Sequence, residues 1–197
     1  MEKTAGIDYG SKLAGTTVIA FVKDSGEIDT LQSAKGQDAD QFILEWVAQY
    51  QPAHLFLDAP LSLPGVYTNK EEFEDYFYRK ADKQAKAMSP MFLGGLTARA
   101  MFLKHKLNTQ YQINTWEVYP AYLARLLALH ALSYKKEKTY IPQVIAAIAE
   151  VSQHKIDASK FYNWHQVDAL LSLCSGFRYH QGQALVFGDS IEGQIIV

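Results

Sequence analysis

The sequence predicts an α/β fold, a mixed β-sheet flanked by helices, and three observations lead there. An apolar run, Thr4 to Asp8, ends in a carboxylate, turns through glycines and gives way to a second apolar run from Thr16 to Val22. A later run, Ala53 to Leu57, lacks the alternation of a half-exposed strand, which marks a strand covered on both faces and usually parallel to its neighbours. Between and after these runs lie longer segments whose apolar residues recur at helical spacing.

In chain order, GIDYGSKLAGTT (Gly6 to Thr17) is a glycine-bearing turn that leaves Asp8 at the lip of the sheet, with Gly10 and Gly15 supplying a tight connection and room for a ligand. Gly15 to Lys23 and Ile28 to Lys35 read as β segments around the turn Asp24-Ser25-Gly26, so the first three strands form an antiparallel meander. Asp38 or Asp40 caps a helix reaching about Tyr50, with Phe42, Ile43, Trp46, Val47 and Tyr50 on one face. Pro52 closes it, and the strand that follows ends at Asp58. Ala59-Pro60-Leu61-Ser62-Leu63-Pro64-Gly65 is neither helix nor central strand, so the chain leaves the sheet there. Residues 66–110 read as an excursion: a charged aromatic stretch, interruptions at Ser89-Pro90 and Gly94-Gly95 that suit a mobile or ligand-facing loop, and a helix from about Gly95 to Lys106. Gln112 to Val118 reads as the last strand of the main sheet, with Glu117 near its end. Helices over Ala121 to Leu132, Pro142 to His154 and about Tyr162 to Tyr179 follow, the last with Val167, Leu170, Leu171, Cys174 and Phe177 or Arg178 inward. Leu185 to Phe187 and Gly193 to Val197 suit a small terminal hairpin.

The totals narrow the class. A chain of 197 residues with 48% hydrophobic and 20% charged residues predicts one globular domain over 1–197. No apolar run approaches the roughly 20 residues of a membrane span, and Glu2-Lys3-Thr4 leads straight into a strand, so a cytoplasmic protein without membrane contact is expected. The single cysteine, Cys174, excludes a disulfide or zinc-thiolate framework and reads as a packed hydrophobe. A net charge of −2 offers no whole-chain attraction for nucleic acid, although a local basic face is compatible with it. Lys135, Lys136 and Lys138, with Arg125, read first as a solvated loop and second as phosphate contacts.

Four acids are candidates for chemistry. Asp8, Asp58 and Glu117 sit at the C-terminal ends of predicted core strands, the rim where α/β sheets bind ligands, and Asp168 lies on the late helix with His165 one turn before it. If the first, fourth and fifth strands are parallel neighbours, their ends are about 5 Å apart and the carboxylates share one pocket. Such crowding raises each pKa unless a cation neutralises it, and a cluster of hard oxygen ligands suits Mg2+ or Mn2+. Two such ions activate water and stabilise the leaving oxygen of a phosphodiester. Each acid also has a plain alternative: a self-bonded turn for Asp8, a turn cap for Asp58, a surface ion pair for Glu117, and a buried or helix-surface acid for Asp168. Lys12 would neutralise either a phosphate or the acids themselves. If Lys12 or Arg79 bridges the carboxylates, an ion is less needed.

The opening GIDYGSKLAGTT resembles the first hairpin of the RNase H-like superfamily. Together with LFLDAPLSLPG, YRKAD, WEVYPAYLARLL, HQVDALL and FGDSIEG, it makes nearly the whole chain resemble domain-of-unknown-function family 429, predicted RNase H-like nucleases. The resemblance implies a mixed five-stranded sheet with the second strand antiparallel to its neighbours, flanked by helices, with the excursion at about 66–110 inserted after the fourth strand. It implies that Asp8, Asp58 and Asp168 are acidic metal ligands, that Glu117 is a further strand-end acid, and that Arg79 and Asp82 face the same cleft. The expected function is a metal-dependent nuclease acting on DNA or RNA, with Asp8, Asp58, Glu117 and Asp168 catalytic and Lys12, Arg79 and Asp82 binding substrate. Two other classes stand beside it: a nucleotide-phosphate cradle of the actin-like and sugar-kinase type, which normally closes ATP between two such domains, and a non-catalytic binding protein using the aromatics around Phe73 to Tyr78. The oligomeric state is open, a homodimer included.

Overall fold

The computed structural model describes residues 3–68, 72–152 and 154–197. Its described residues build one mixed sheet with helices on both faces. The strands are β1 (Thr4–Asp8), β2 (Val18–Val22), β3 (Glu27–Gln32), β4 (His54–Asp58), β5 (Asn114–Val118), β6 (Lys155–Ile156), β7 (Val186–Asp189) and β8 (Gly193–Ile196). They lie in the order β6-β3-β2-β1-β4-β5-β8-β7. β2 runs antiparallel to β1 and β3, while β1, β4, β5 and β8 are mutually parallel. The core order β3-β2-β1-β4-β5 is the RNase H-like arrangement that the resemblance implies.

The strand count of five is corrected to eight. The terminal hairpin does not stand apart: β8 pairs with β5 at Glu117↔Ile195 and Val118↔Ile196, so β5 is an interior strand and not the edge. The two residues of β6 extend the other side by pairing with β3. The hairpin is legible in sequence but its pairing with β5 is not, and β6 is too short to announce itself; both additions cover edges that would otherwise present free N–H and C=O groups.

Strand alternation divides the core. Ala5 and Ile7 of β1 and Leu55 and Leu57 of β4 face α1 (Ala39–Tyr50) and α4 (Gly95–Tyr111), where they meet Ile43, Val47, Leu103 and Leu107. The opposite face packs against α5 (Pro120–Leu126), α6 (Ile141–Ser152) and α7 (Trp164–His180). Asp38 caps α1 by accepting from the amides of Asp40 and Gln41, and Gln51 ends it in the left-handed region at φ 52°. α2 (Lys80–Ala85), α3 (Pro90–Leu93) and α4 lie between β4 and β5, where the helical insertion is expected; residues 69–71 of that excursion fall outside the described set. Gly94, at φ 41°, is the joint between α3 and α4.

Two helices end differently from expectation. The segment Ala121 to Leu132 is broken, because Ala128 turns left-handed at φ 53° and the chain continues as a 3-10 turn over Leu129–Leu132. α6 is described through Ser152; the expected end at His154 crosses residue 153, outside the described set. α7 opens one turn on from Tyr162, at a box in which Asn163 accepts the Gln166 amide and Gln166 reaches back to the Asn163 amide. Among the described residues no helix is long and apolar enough to cross a membrane.

Candidate functional site

The same alternation that buries Ile7 and Leu57 on one face aims Asp8 and Asp58 at the other. They are register partners, Asp8↔Asp58, at the C-terminal ends of adjacent parallel strands, so their side chains share the α7 side of the rim. What brings α7 to them is Gly6. A Cβ there would lie 2.0 Å from the Leu173 amide nitrogen and 2.5 Å from the Ala169 carbonyl oxygen, so only glycine lets the helix backbone rest on β1. The turn of α7 before that contact then overhangs the strand end. His165 Nδ1 sits 2.7 Å from Asp8 Oδ2. Asp168 is held by two groups from the chain between α5 and α6: the Tyr134 hydroxyl donates to Oδ1, and Lys135 Nζ lies 2.8 Å from Oδ2. Asp8, Asp58 and Lys135 line a cavity of about 360 Å³ whose far wall includes Met88 and Leu93 from the inserted helices.

The electrostatics set these acids apart. Burial pushes the Asp58 carboxyl well above the usual carboxylate range, and the charges of Asp8 and Asp168 push it further, with Lys135 the opposing cation. No hydrogen-bond donor or ion-pair partner among the described residues touches the Asp58 carboxylate. Burial likewise raises Asp168, opposed by Lys135 and reinforced by Asp8. The hydrogen bond to Asp8 raises the His165 imidazole, favouring its protonated form. Burial lowers the Lys135 ammonium, but Asp168, Asp58 and Asp8 together more than reverse that.

Glu117 belongs to a different cluster. It pairs with Leu57, one position before Asp58, so the two-residue period turns it toward the α4 face, although it still lines the cavity that Asp8 and Asp58 share. There it meets Arg79, which is fully buried and forks onto both Glu117 oxygens at 2.7 and 2.6 Å and onto both Asp82 oxygens at 3.1 and 2.6 Å. Glu117 also accepts the Leu61 amide at 2.8 Å. Arg79 and Asp82, expected to face the cleft, are instead enclosed, because the guanidinium is the counter-ion that allows two carboxylates to be buried beneath the insertion. Lys12, expected beside the acids, is drawn elsewhere: its carbonyl accepts the Ala39 amide at 2.9 Å, tying the turn to the start of α1, and its ammonium pairs with Asp38 at 3.1 Å.

Of the expected site residues, then, the structure brings together Asp8, Asp58 and Asp168, keeps Glu117 in the lining of the cavity while tying it to Arg79, and directs Arg79, Asp82 and Lys12 elsewhere. Three groups are added: His165, Tyr134 and Lys135. His165 was signalled by its place one helical turn before Asp168. Lys135 stood in the basic run, without a signal that separated it from Lys136 or Lys138. Tyr134 carried none.

A divalent ion can be weighed against this donor set. Asp58, unpartnered and crowded by two carboxylates, presents the hard, anionic oxygens that Mg2+ or Mn2+ takes, and Asp8 stands beside it. Asp168 is the third oxygen donor in reach, but Lys135 and Tyr134 hold it. Among the described residues no three His, Cys, Asp or Glu side chains are gathered closely enough to cage an ion as they stand. The set fits such an ion in its chemistry.

Fold and site together define an α/β protein of RNase H-like strand order with an acidic cluster at the ends of β1 and β4 beneath α7. No family model matches the chain, and no curated protein matches it. Among solved structures it is similar to Thermus thermophilus RuvC in complex with a Holliday junction substrate, at 16% identity and TM-score 0.47, over 93% of this chain and 98% of that one. A second structure of Thermus thermophilus RuvC gives 16% identity and TM-score 0.47 over 92% and 97%. A likeness at that level carries no argument about activity.

Proposed function

We propose that the chain is a metal-dependent phosphodiesterase acting on nucleic acid, DNA or RNA, in keeping with its resemblance to domain-of-unknown-function family 429. The observation that carries this reading is the gathering of Asp8, Asp58 and Asp168 from two parallel strand ends and one helix, with Asp8 and Asp58 lining an open cavity and Asp58 buried and unpartnered. Asp8, Asp58 and Asp168 would hold Mg2+ or Mn2+, which when bound would supply Lewis acidity and lower the pKa of bound water. His165 fixes the rotamer of Asp8 through Nδ1 and holds a proton there. Tyr134 plays the same orienting part for Asp168. Glu117, Arg79 and Asp82 fasten the end of β5 to the insertion whose later residues wall the cavity.

The nucleotide-cradle alternative needs free amides in the turn after β1. The Gly10 amide is spent on the Thr17 hydroxyl at 3.0 Å, which counts against it.

Labelled single-stranded, duplex, hybrid and branched nucleic acids, incubated with the protein and Mg2+ or Mn2+, test the reading. Cleavage that needs the ion and disappears in Asp8→Asn and Asp58→Asn is expected, with His165→Asn reduced about 10- to 100-fold, the usual loss when an orienting partner is removed. Metal-dependent cleavage that survives Asp8→Asn unchanged sinks it.

A further inference from the structure

We infer that Lys135 is a tethered counter-cation: its ammonium occupies the acidic site through Asp168 in the metal-free protein, and a divalent ion enters by displacing it. The inference rests on the metal-site reading above and says how that site is filled and emptied.

Each outer acid of the trio has a basic partner, His165 on Asp8 and Lys135 on Asp168, while Asp58 has none. The two partners differ in what they leave available. His165 takes one oxygen of Asp8 and no other described donor takes the second. Asp168 has both oxygens engaged, Oδ1 by the Tyr134 hydroxyl and Oδ2 by Lys135 at 2.8 Å. A hydroxyl donor is compatible with a metal on the same carboxylate, since it is neutral and orients the group as an outer partner does. An ammonium on Oδ2 is not, because it brings a full positive charge to the place an ion would occupy. Lys135 is therefore the group that keeps the three carboxylates from acting as one ligand set, and it is also the cation that makes their proximity tolerable without an ion.

The geometry of its segment suits an exchange. Asp168 is 6% exposed in its side chain, whereas that of Lys135 is 48% exposed, so the acid is fixed and the ammonium has solvent to move into. Ser133 and Lys135 are both held at positive φ, 64° and 60°, conformations that cost L-residues energy and persist where the surroundings over-determine them. The backbone of the next residue is anchored, since Trp164 Nε1 donates to the Lys136 carbonyl at 2.8 Å. The side chain of Lys135 can thus swing without the loop leaving α7. Lys138, exposed in the same segment, has no ion-pair partner among the described residues and provides a matched control.

Calorimetric titration with MnCl2 alone, and separately MgCl2 alone, of metal-stripped wild type, Lys135→Met, Lys135→Arg, Lys138→Met and Asp58→Asn tests the inference. Lys135→Met should bind the ion about three- to tenfold more tightly than wild type, while Lys135→Arg and Lys138→Met stay within about a factor of two and Asp58→Asn loses binding. Thermal melts give a second readout: metal-free Lys135→Met should melt below wild type, and saturating Mn2+ should raise it by more than it raises wild type. Equal or weaker binding by Lys135→Met overturns the inference and leaves the metal site standing. Absence of binding in wild type and every variant overturns both.

Discussion

At the scale of single residues, Asp58 sets the terms on which this site exists. Its carboxyl is raised by burial and by the charges of Asp8 and Asp168, so the folded protein holds a proton there at pH values where the unfolded chain has released it. Stability in the metal-free state should accordingly fall as pH rises from about 4 toward the folded-state value, because the folded form binds more protons over that window. Asp58→Asn removes the charge and keeps the shape. It should raise the melting temperature of metal-free protein at pH 7.5, with the gain shrinking as pH falls through about 4 and lost by about 3, where the wild-type acid is itself neutral in both states. Melts of both proteins across that range in chelator check it; a variant less stable than wild type at pH 7.5 sinks the electrostatic account.

Arg79 makes the opposite case, a charge whose removal is costly. It is fully buried with two carboxylates, so Arg79→Met strands Asp82 and Glu117 without a counter-ion and should cost about 3–5 kcal/mol in urea unfolding. A loss under about 1 kcal/mol would show that the carboxylates relax or protonate easily. Both residues bear on how far the sequence could be read. Asp8 and Asp58 were legible as site residues because each is the last residue of its strand. Glu117 looked equivalent but stands one residue before the end of β5, and with a period of two that single step moves a side chain to the other face. Strand ends cannot be placed to one residue from an apolar pattern, so Arg79, named as a cleft residue and as a possible bridge to the acids, could not be assigned to its enclosed pairing with Glu117 and Asp82.

Among the elements, α7 matters most, and its position depends on the absence of one methyl group. Gly6→Ala places a Cβ where the backbone of Leu173 runs, with no side chain able to give way. The helix must lift from β1, so a destabilisation of about 3 kcal/mol or more is expected in chemical unfolding, the upper end for overpacking, and His165 and Asp168 should be carried away from Asp8. A variant of wild-type stability would mean that the contact is looser than the geometry shows. Cys174 offers a check on the same helix. Burial pushes its thiol up to about 12, so native protein should be inert to a thiol reagent at pH 8 and react only as α7 leaves the sheet. Rapid labelling of folded protein would contradict the packing.

The stripe Val167, Leu170, Leu171, Cys174 and Phe177 made α7 legible, since burial at helical spacing is what the sequence encodes directly. The segment after α5 was not. Its direction is set by positive φ at Ala128, Ser133 and Lys135, positions where glycine or asparagine would have signalled a left-handed residue and where alanine, serine and lysine give no sign. That is why Lys135 read as one of three solvated lysines while the structure sets it against Asp168.

Across the whole molecule, the C-terminal hairpin meets the insertion. Glu192, in the turn between β7 and β8, is 5% exposed and accepts the Gly65 amide at 2.7 Å and the Lys80 amide at 2.9 Å, while its own carbonyl accepts the Ser62 hydroxyl at 2.5 Å. One carboxylate thus holds both the point where the chain leaves β4 and the start of α2, and the chain that follows carries Met88, in the loop after α2, and Leu93, at the end of α3, to the wall of the acidic cavity. In sequence, FGDSIEG reads only as a turn, because its partners lie more than a hundred residues away. Glu192→Gln keeps one acceptor and loses the charge, so it should cost about 1.5–3 kcal/mol, the range for hydrogen bonds to a charged group. The loss should appear locally before it appears globally, because one of the amides of Gly65 and Lys80 loses its acceptor while β1, β4 and α7 keep their own packing. Limited proteolysis under native conditions, read by mass spectrometry, should therefore place the first cuts of the variant within residues 66–93, at a protease level that leaves wild type whole. Restored resistance on adding Mn2+ would tie that wall to the acidic site. First cuts in the β7–β8 hairpin instead would show that Glu192 secures its own turn and not the insertion.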